Sequence, residues 1–124
     1  MSSSWPSKKF TSSFVLVVMM LVALRSVTAA SQSFPETWIY GADCDTEVKG
    51  QVHKYDDNLF IIRQSVCTNF EAPFIYLLFG KNKVLMQDSG ASDFGQRQLV
   101  DNIIEQWLIL NNLNTIKLIV SHSH

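Results

Sequence analysis

No stretch of this sequence is basic enough to follow a phosphate backbone. Its 10 Lys and Arg stand against 11 Asp and Glu over 124 residues, without a basic stripe. The electrostatic footprint of a nucleic-acid binder is therefore missing. Cysteine is scarce: Cys44 and Cys67 are the 2 present, and their spacing fits no metal motif. A long hydrophobic run is lacking too. Phe14 to Leu24 gives 11 uncharged apolar residues, whereas a helix needs ~20 to cross a bilayer core. The length excludes more than one ordinary domain.

What the N-terminus does have is the layout of a secretory signal. Lys8 and Lys9 precede the apolar run, and the small residues "SVTAAS" follow it. A basic region, a short apolar core and an Ala-rich site are the parts such signals need. Residues 1–30 are expected to be a cleaved signal peptide, cut after Ala29 or Ala30, and the product secreted or periplasmic. The alternative is an uncleaved signal acting as a membrane anchor. Loss of Lys8, Lys9 and Arg25 leaves 7 basic against 11 acidic residues, a net charge of −4. Export also changes how Cys44 and Cys67 are read. They either close one disulfide in an oxidising compartment or are small buried thiols.

Residues 31–51 are expected to form a loose lead-in, with residues 52–124 as the folded part. "VHKYDD" (Val52 to Asp57) and "NLFIIRQS" (Asn58 to Ser65) predict two strands joined at a turn-prone Asp-Asp-Asn. "FIYLLFG" (Phe74 to Gly80) and "KVLMQD" (Lys83 to Asp88) predict a hairpin. Their apolar residues are continuous rather than alternating, which predicts cover on both faces. Leu99, Val100, Ile103, Ile104, Trp107 and Leu108 recur at helical spacing and predict an amphipathic helix from Gln96 to Leu110. Arg97, Asp101 and Glu105 fall on its wet side. "NNLN" ends the helix through the left-handed tolerance of Asn, and "TIKLIVS" (Thr115 to Ser121) predicts a last strand. The expected class is α/β (α+β), several antiparallel strands followed by a strand–helix–strand crossover. That crossover makes the last strand parallel to "KVLMQD" and brings Asp88 and the pair His122/His124 to one sheet edge.

Two imidazoles one residue apart can turn toward one ion. Zinc takes neutral imidazole nitrogen at about 2.0–2.1 Å, with four ligands in structural sites and three plus water in catalytic ones. His-x-His alone is weak evidence; after "LIV" and opposite a "DSG" turn it says more. Asp88 has an ordinary alternative as the start of a turn.

"IKLIVSHSH" resembles the strand and loop that open the His-x-His-x-Asp-His signature of the metallo-β-lactamase fold superfamily. "KVLMQDSGA" is similar to the strand and Asp-Thr-Gly-like turn that precede it, with Ser89 standing where many members carry Thr. "NLFIIRQSVCTNFEAPFIYLLFGKNK" is similar to the family's N-terminal strands, and the likeness spans about Val52 to His124. It implies a partial αββα sandwich, the first-half sheet with one flanking helix. It further implies that His122 and His124 are ligands of a first zinc, that Asp88 steadies the ligand loops, and that Gly90 lets the backbone turn beside the site. In a complete member, metal-bound hydroxide would attack an ester, thioester, lactam or phosphoester of a small-molecule substrate. The resemblance stops inside the motif, so this chain is expected to be an N-terminal part of such a hydrolase and inactive alone. The competing expectation is a small exported non-enzymatic binding protein with a fortuitous His pair.

Other residues have plainer readings. His53 is expected to face solvent from its strand, and Trp107 to be core. Trp38 and Tyr40 are either core or a surface aromatic pair. Asp56 and Asp57 read as turn residues. Cys67 lacks the basic neighbour that a thiol nucleophile needs.

Overall fold

A computed structural model describes residues 33–122. The expected signal peptide and His124 lie outside the described residues. Five strands and one helix follow in order: β1 (Gly50–Lys54), β2 (Leu59–Gln64), β3 (Phe74–Phe79), β4 (Lys83–Gln87), α1 (Gln96–Leu110) and β5 (Lys117–Val120). They form one sheet in the order β1-β2-β3-β4-β5. The first four strands pair antiparallel, and β5 lies parallel to β4. This is a small α+β fold with a mixed sheet.

Local chemistry explains the connections. Between β1 and β2, Tyr55 donates its N–H to Leu59 O at 2.9 Å, and Asp56 Oδ1 accepts from the Asn58 N–H at 2.7 Å. This carboxylate-capped turn takes up residues assigned above to strands, so β1 ends at Lys54 rather than Asp57. The β3–β4 hairpin closes through Gly80 N–H to Lys83 O at 2.8 Å. The helix begins after Gly95, whose φ of 87° suits glycine. It ends with Asn112 in the left-handed region (φ 54°), where the Leu113 N–H reaches Leu108 O at 3.0 Å. That bond satisfies a last-turn carbonyl that would otherwise be orphaned.

One sheet face buries the helix. Ile62, Ile75, Leu77, Phe79, Val84 and Met86 meet Val100, Ile103 and Trp107, with Phe94 closing the end. Trp107 stacks on Phe79 with ring centroids 4.7 Å apart, and its Nε1–H donates to Asp57 O at 3.0 Å. A buried indole thus keeps a partner for its one polar atom. Arg97 and Asp101 form an exposed ion pair at 3.7 Å on the outer side of the helix, which adds little.

The second face departs from the sequence expectation. Burial alternates along β3 and β4 instead of running through them. A continuous apolar run cannot by itself distinguish one covered face from two. Here a single helix covers the β2–β4 part of one face, leaving Leu118 and Val120 of β5 exposed, and the segment before β1 covers part of the other. Trp38 sets its ring edge-on against Phe74 (5.0 Å) and His53 (5.7 Å), while Phe34 lies 5.1 Å from Tyr55. The Ile39 N–H donates to Gln51 Oε1 at 2.8 Å. Residues 33–49, expected as part of a loose lead-in, are therefore tied to the sheet as an aromatic strap. Cys44 and Cys67 are joined in a disulfide, which fixes the end of the strap to the β2–β3 loop.

Candidate functional site

The strand–helix–strand unit sets the geometry of the β4–β5 edge. In the parallel ladder Met86 pairs with Val120, and Ser121 N–H continues it to Met86 O at 3.0 Å. Asp88 and His122 each come two positions after that pair, beyond the last bonded rung, and the chain leaves the extended conformation at Asp88 (φ 69°). The topology thus puts the segments that carry two of the residues singled out from the sequence at the same end of neighbouring strands. His122 is exposed. His124 cannot be placed with it, being outside the described residues.

Asp88 is held as a turn residue. Its backbone has a left-handed φ of 69°, and its Oδ1 accepts the Gly90 N–H at 2.9 Å. Gly90 follows with φ 88°; a Cβ there would lie 2.9 Å from Phe94 Cε1 and 3.2 Å from Gln64 Oε1. Glycine is required on both counts. Asp88 thus fills the ordinary role of a turn-starting aspartate.

The residue that fixes this turn is Gln64, which the sequence reading passed over. It is fully buried at the end of β2. Its Oε1 accepts the Ala91 N–H at 2.9 Å, and its Nε2 donates to Ser92 Oγ and Thr68 Oγ1, both at 2.8 Å. Asn69 Nδ2 adds a bond to Ala91 O at 3.3 Å. The turn after β4 is therefore knitted to the β2–β3 loop, and that loop to the strap through the disulfide.

Glu47 is a second unanticipated hub. Its carboxylate accepts from Ser65 Oγ at 2.6 Å and from the Gly41 N–H at 2.9 and 3.0 Å. The Ser65 hydroxyl, followed by backbone amides, holds its pKa below the ordinary value. Lys54 does the same for Asp57 through a 2.7 Å contact, and the Thr46 hydroxyl for Asp43.

No family model, curated protein or solved structure matches this chain. The chemistry must be read from the edge itself. Imidazole and carboxylate are the donor types zinc takes. Among the described residues, no three of His, Cys, Asp and Glu gather closely enough to hold a metal ion. The donor types at the edge fit zinc; their number does not complete a centre, and no reaction step is assigned to this chain alone.

The remaining candidates separate cleanly. His53 does not face open solvent as expected: it is half-buried beneath Trp38 and Phe34, with Nε2 buried and unpartnered. It sits on β1, across the sheet from β5, and so cannot join His122. Trp38 is part of the strap packing, whereas Tyr40 is 69% exposed. Cys67 is spent in the disulfide. Arg63, over the Phe74 ring at 4.4 Å, donates to Ala72 O and pins the loop before β3. A cleft of about 220 Å³ lined by Phe60, Trp107 and Lys54 lies at the opposite sheet end from Asp88. No helix among the described residues is long and apolar enough to cross a membrane.

Proposed function

We propose that residues 52–124 form the first half of a metallo-β-lactamase-like αββα sandwich belonging to an exported zinc-dependent hydrolase. The observation that carries this reading is the parallel β4–β5 pair, with the Asp88 turn and His122 each following the end of its strand. The open part of the helix-free face supports it further. Leu78, Leu85 and Ile119 are 42%, 37% and 38% exposed there, as the inner face of a half-sandwich would be. In this reading His122 and His124 hold the first zinc, and Asp88 and Gly90 shape the loop beside it. The ion, when bound, would supply a polarising charge and a hydroxide available near neutral pH for attack on a small-molecule ester, thioester, lactam or phosphoester. Two imidazoles fall short of the three protein ligands such a centre takes, so the chain by itself is not expected to be active. The disulfide is consistent with export to an oxidising compartment, secreted or periplasmic.

Calorimetric titration of the full chain with Zn²⁺ tests the metal assignment. Weak binding is expected, weakened at least tenfold by His122→Ala or His124→Ala. Identical isotherms for the wild type and the double variant would refute it.

A second reading is a small exported binding protein without catalysis. The strap, the disulfide and a core built around Ile62, Leu77 and Trp107 favour it, because they give the chain means to fold unaided. It requires a cooperative melt that zinc and both His substitutions leave unchanged. A melt that shifts with zinc in the wild type, and not in the double variant, excludes it.

A further inference from the structure

None of the five strands contains an acidic residue, although acidic residues outnumber basic ones in the chain as a whole. Apolar strand residues are exposed on both faces, Leu118 and Val120 on the helix side among them, but on the helix-free face they lie beside a lysine pair. Leu78 pairs with Leu85 and Leu85 with Ile119, so these half-exposed side chains form a continuous apolar strip over β3, β4 and β5. Lys83 pairs with Lys117 in the same ladder, two residues before Leu85 and Ile119. The two-residue alternation of strands puts both lysines on the face with the strip. Both are exposed, and the ion pairs of the described residues, Lys54–Asp57 and Arg97–Asp101, involve neither.

Like charges side by side in a ladder repel, and an open apolar strip favours association. One occupant relieves both. We infer that this face docks a polypeptide layer with apolar inner residues over Leu78, Leu85 and Ile119 and carboxylates against Lys83 and Lys117. For the identity of the layer, a second sheet, the inference rests on the sandwich reading; its charge follows from the lysine pair alone. A second copy of this chain is a poor occupant, since a two-fold contact would bring two such lysine pairs onto faces whose strands hold no carboxylate. Lysines also guard sheet edges against unwanted pairing, so the test must separate docking from guarding.

The test uses two fluorescein-labelled amphipathic peptides of alternating Leu and Thr, one ending in Glu residues and the other in Lys residues. Fluorescence anisotropy with the full chain at low salt is expected to show the Glu-ended peptide binding at least tenfold more tightly. Lys83→Glu with Lys117→Glu should reverse the preference, circular dichroism confirming the fold, and Leu85→Asp should weaken both peptides. Equal binding of the two peptides, or a preference that survives the charge reversal, overturns the inference and leaves the sandwich reading standing. Failure of both peptides to bind overturns the inference and removes the open-face support for the sandwich. Preference for phosphatidylserine vesicles over the Glu-ended peptide overturns it in favour of a membrane. Dimerisation in sedimentation that Leu85→Asp abolishes and charge reversal leaves intact overturns it in favour of a second copy.

Discussion

Replacing Gln64 by Leu removes one amide and keeps nearly the same volume in a fully buried position. Three hydrogen bonds are lost, to Ala91 N–H, Ser92 Oγ and Thr68 Oγ1. They are not equally costly. Thr68 Oγ1 also donates to Ser65 O at 2.8 Å, and Ser92 Oγ to Thr68 O at 3.2 Å, so both hydroxyls keep a partner. The Ala91 N–H has Gln64 Oε1 as its acceptor. Leaving such a donor unsatisfied in a buried site costs about 1–3 kcal/mol, and each bond lost from a pair that retains partners costs about 0.5–1.5 kcal/mol. Because the hydroxyls can reorient, the sum is expected at about 2–4 kcal/mol rather than at the upper limit. Urea denaturation of the full chain gives the total. Hydrogen exchange at Gly90 and Ala91 localises it, with protection falling there more than at Ile62 or Leu77 in the central strands. Ser92→Ala, which removes a single rotatable partner, should cost under about half as much. A Gln64→Leu protein within about 0.5 kcal/mol of the wild type, inside the range of ordinary surface substitutions, would show that the turn after β4 does not depend on this side chain. So would unchanged exchange at Ala91.

Reduction of the Cys44–Cys67 disulfide, which closes a separation of 23 residues, is expected to lower stability by about 3 kcal/mol on the chain-entropy account. Denaturation of a Cys44→Ser, Cys67→Ser protein checks this, and an unchanged midpoint would refute it. Glu47 has a folded pKa below its ordinary 4.5, so its stabilisation is present above that value and lost as pH falls through the lower folded one. Glu47→Gln should therefore flatten the acid limb of the stability curve relative to the wild type; parallel limbs would contradict the assignment. Trp107→Phe keeps the ring stacked on Phe79 but deletes the donor to Asp57 O, for an expected loss of about 1–2 kcal/mol in the same denaturation experiment. Gly90→Ala must place a Cβ against Phe94 at a positive φ, and a loss above about 1 kcal/mol is expected. A neutral result would mean that the turn can rearrange.

What the sequence disclosed, and what it hid, follow from the range over which each feature is determined. The helix is local: its apolar residues recur at fixed spacing and Asn112 supplies the left-handed stop, so Gln96–Leu110 appears at the expected bounds. The parallel β4–β5 pair was reachable from element order, because a helix of this length between two strands permits that return. The parallel pairing on which the expected meeting of Asp88 and His122 depends is present, each residue lying two positions beyond the Met86–Val120 rung. Gln64 could not be found in the same way. A glutamine after "FIIR" carries no periodic signal, and its importance lies in partners 4, 27 and 28 residues away. Glu47 and Ser65 are 18 residues apart and equally silent. The second sheet face was misjudged for a related reason: "FIYLLF" supplies apolar residues to both faces, but what covers a face comes from elsewhere in the chain. Over His53 and Phe74 the cover is Trp38, on a strap without regular secondary structure; over Leu85 and Ile119 the described chain provides none. The same long-range dependence governs the candidate site. The turn after β4 and the segment that carries His122 follow adjacent strands, whereas the donor set that would decide any chemistry there must converge from distant residues, as the partners of Gln64 do.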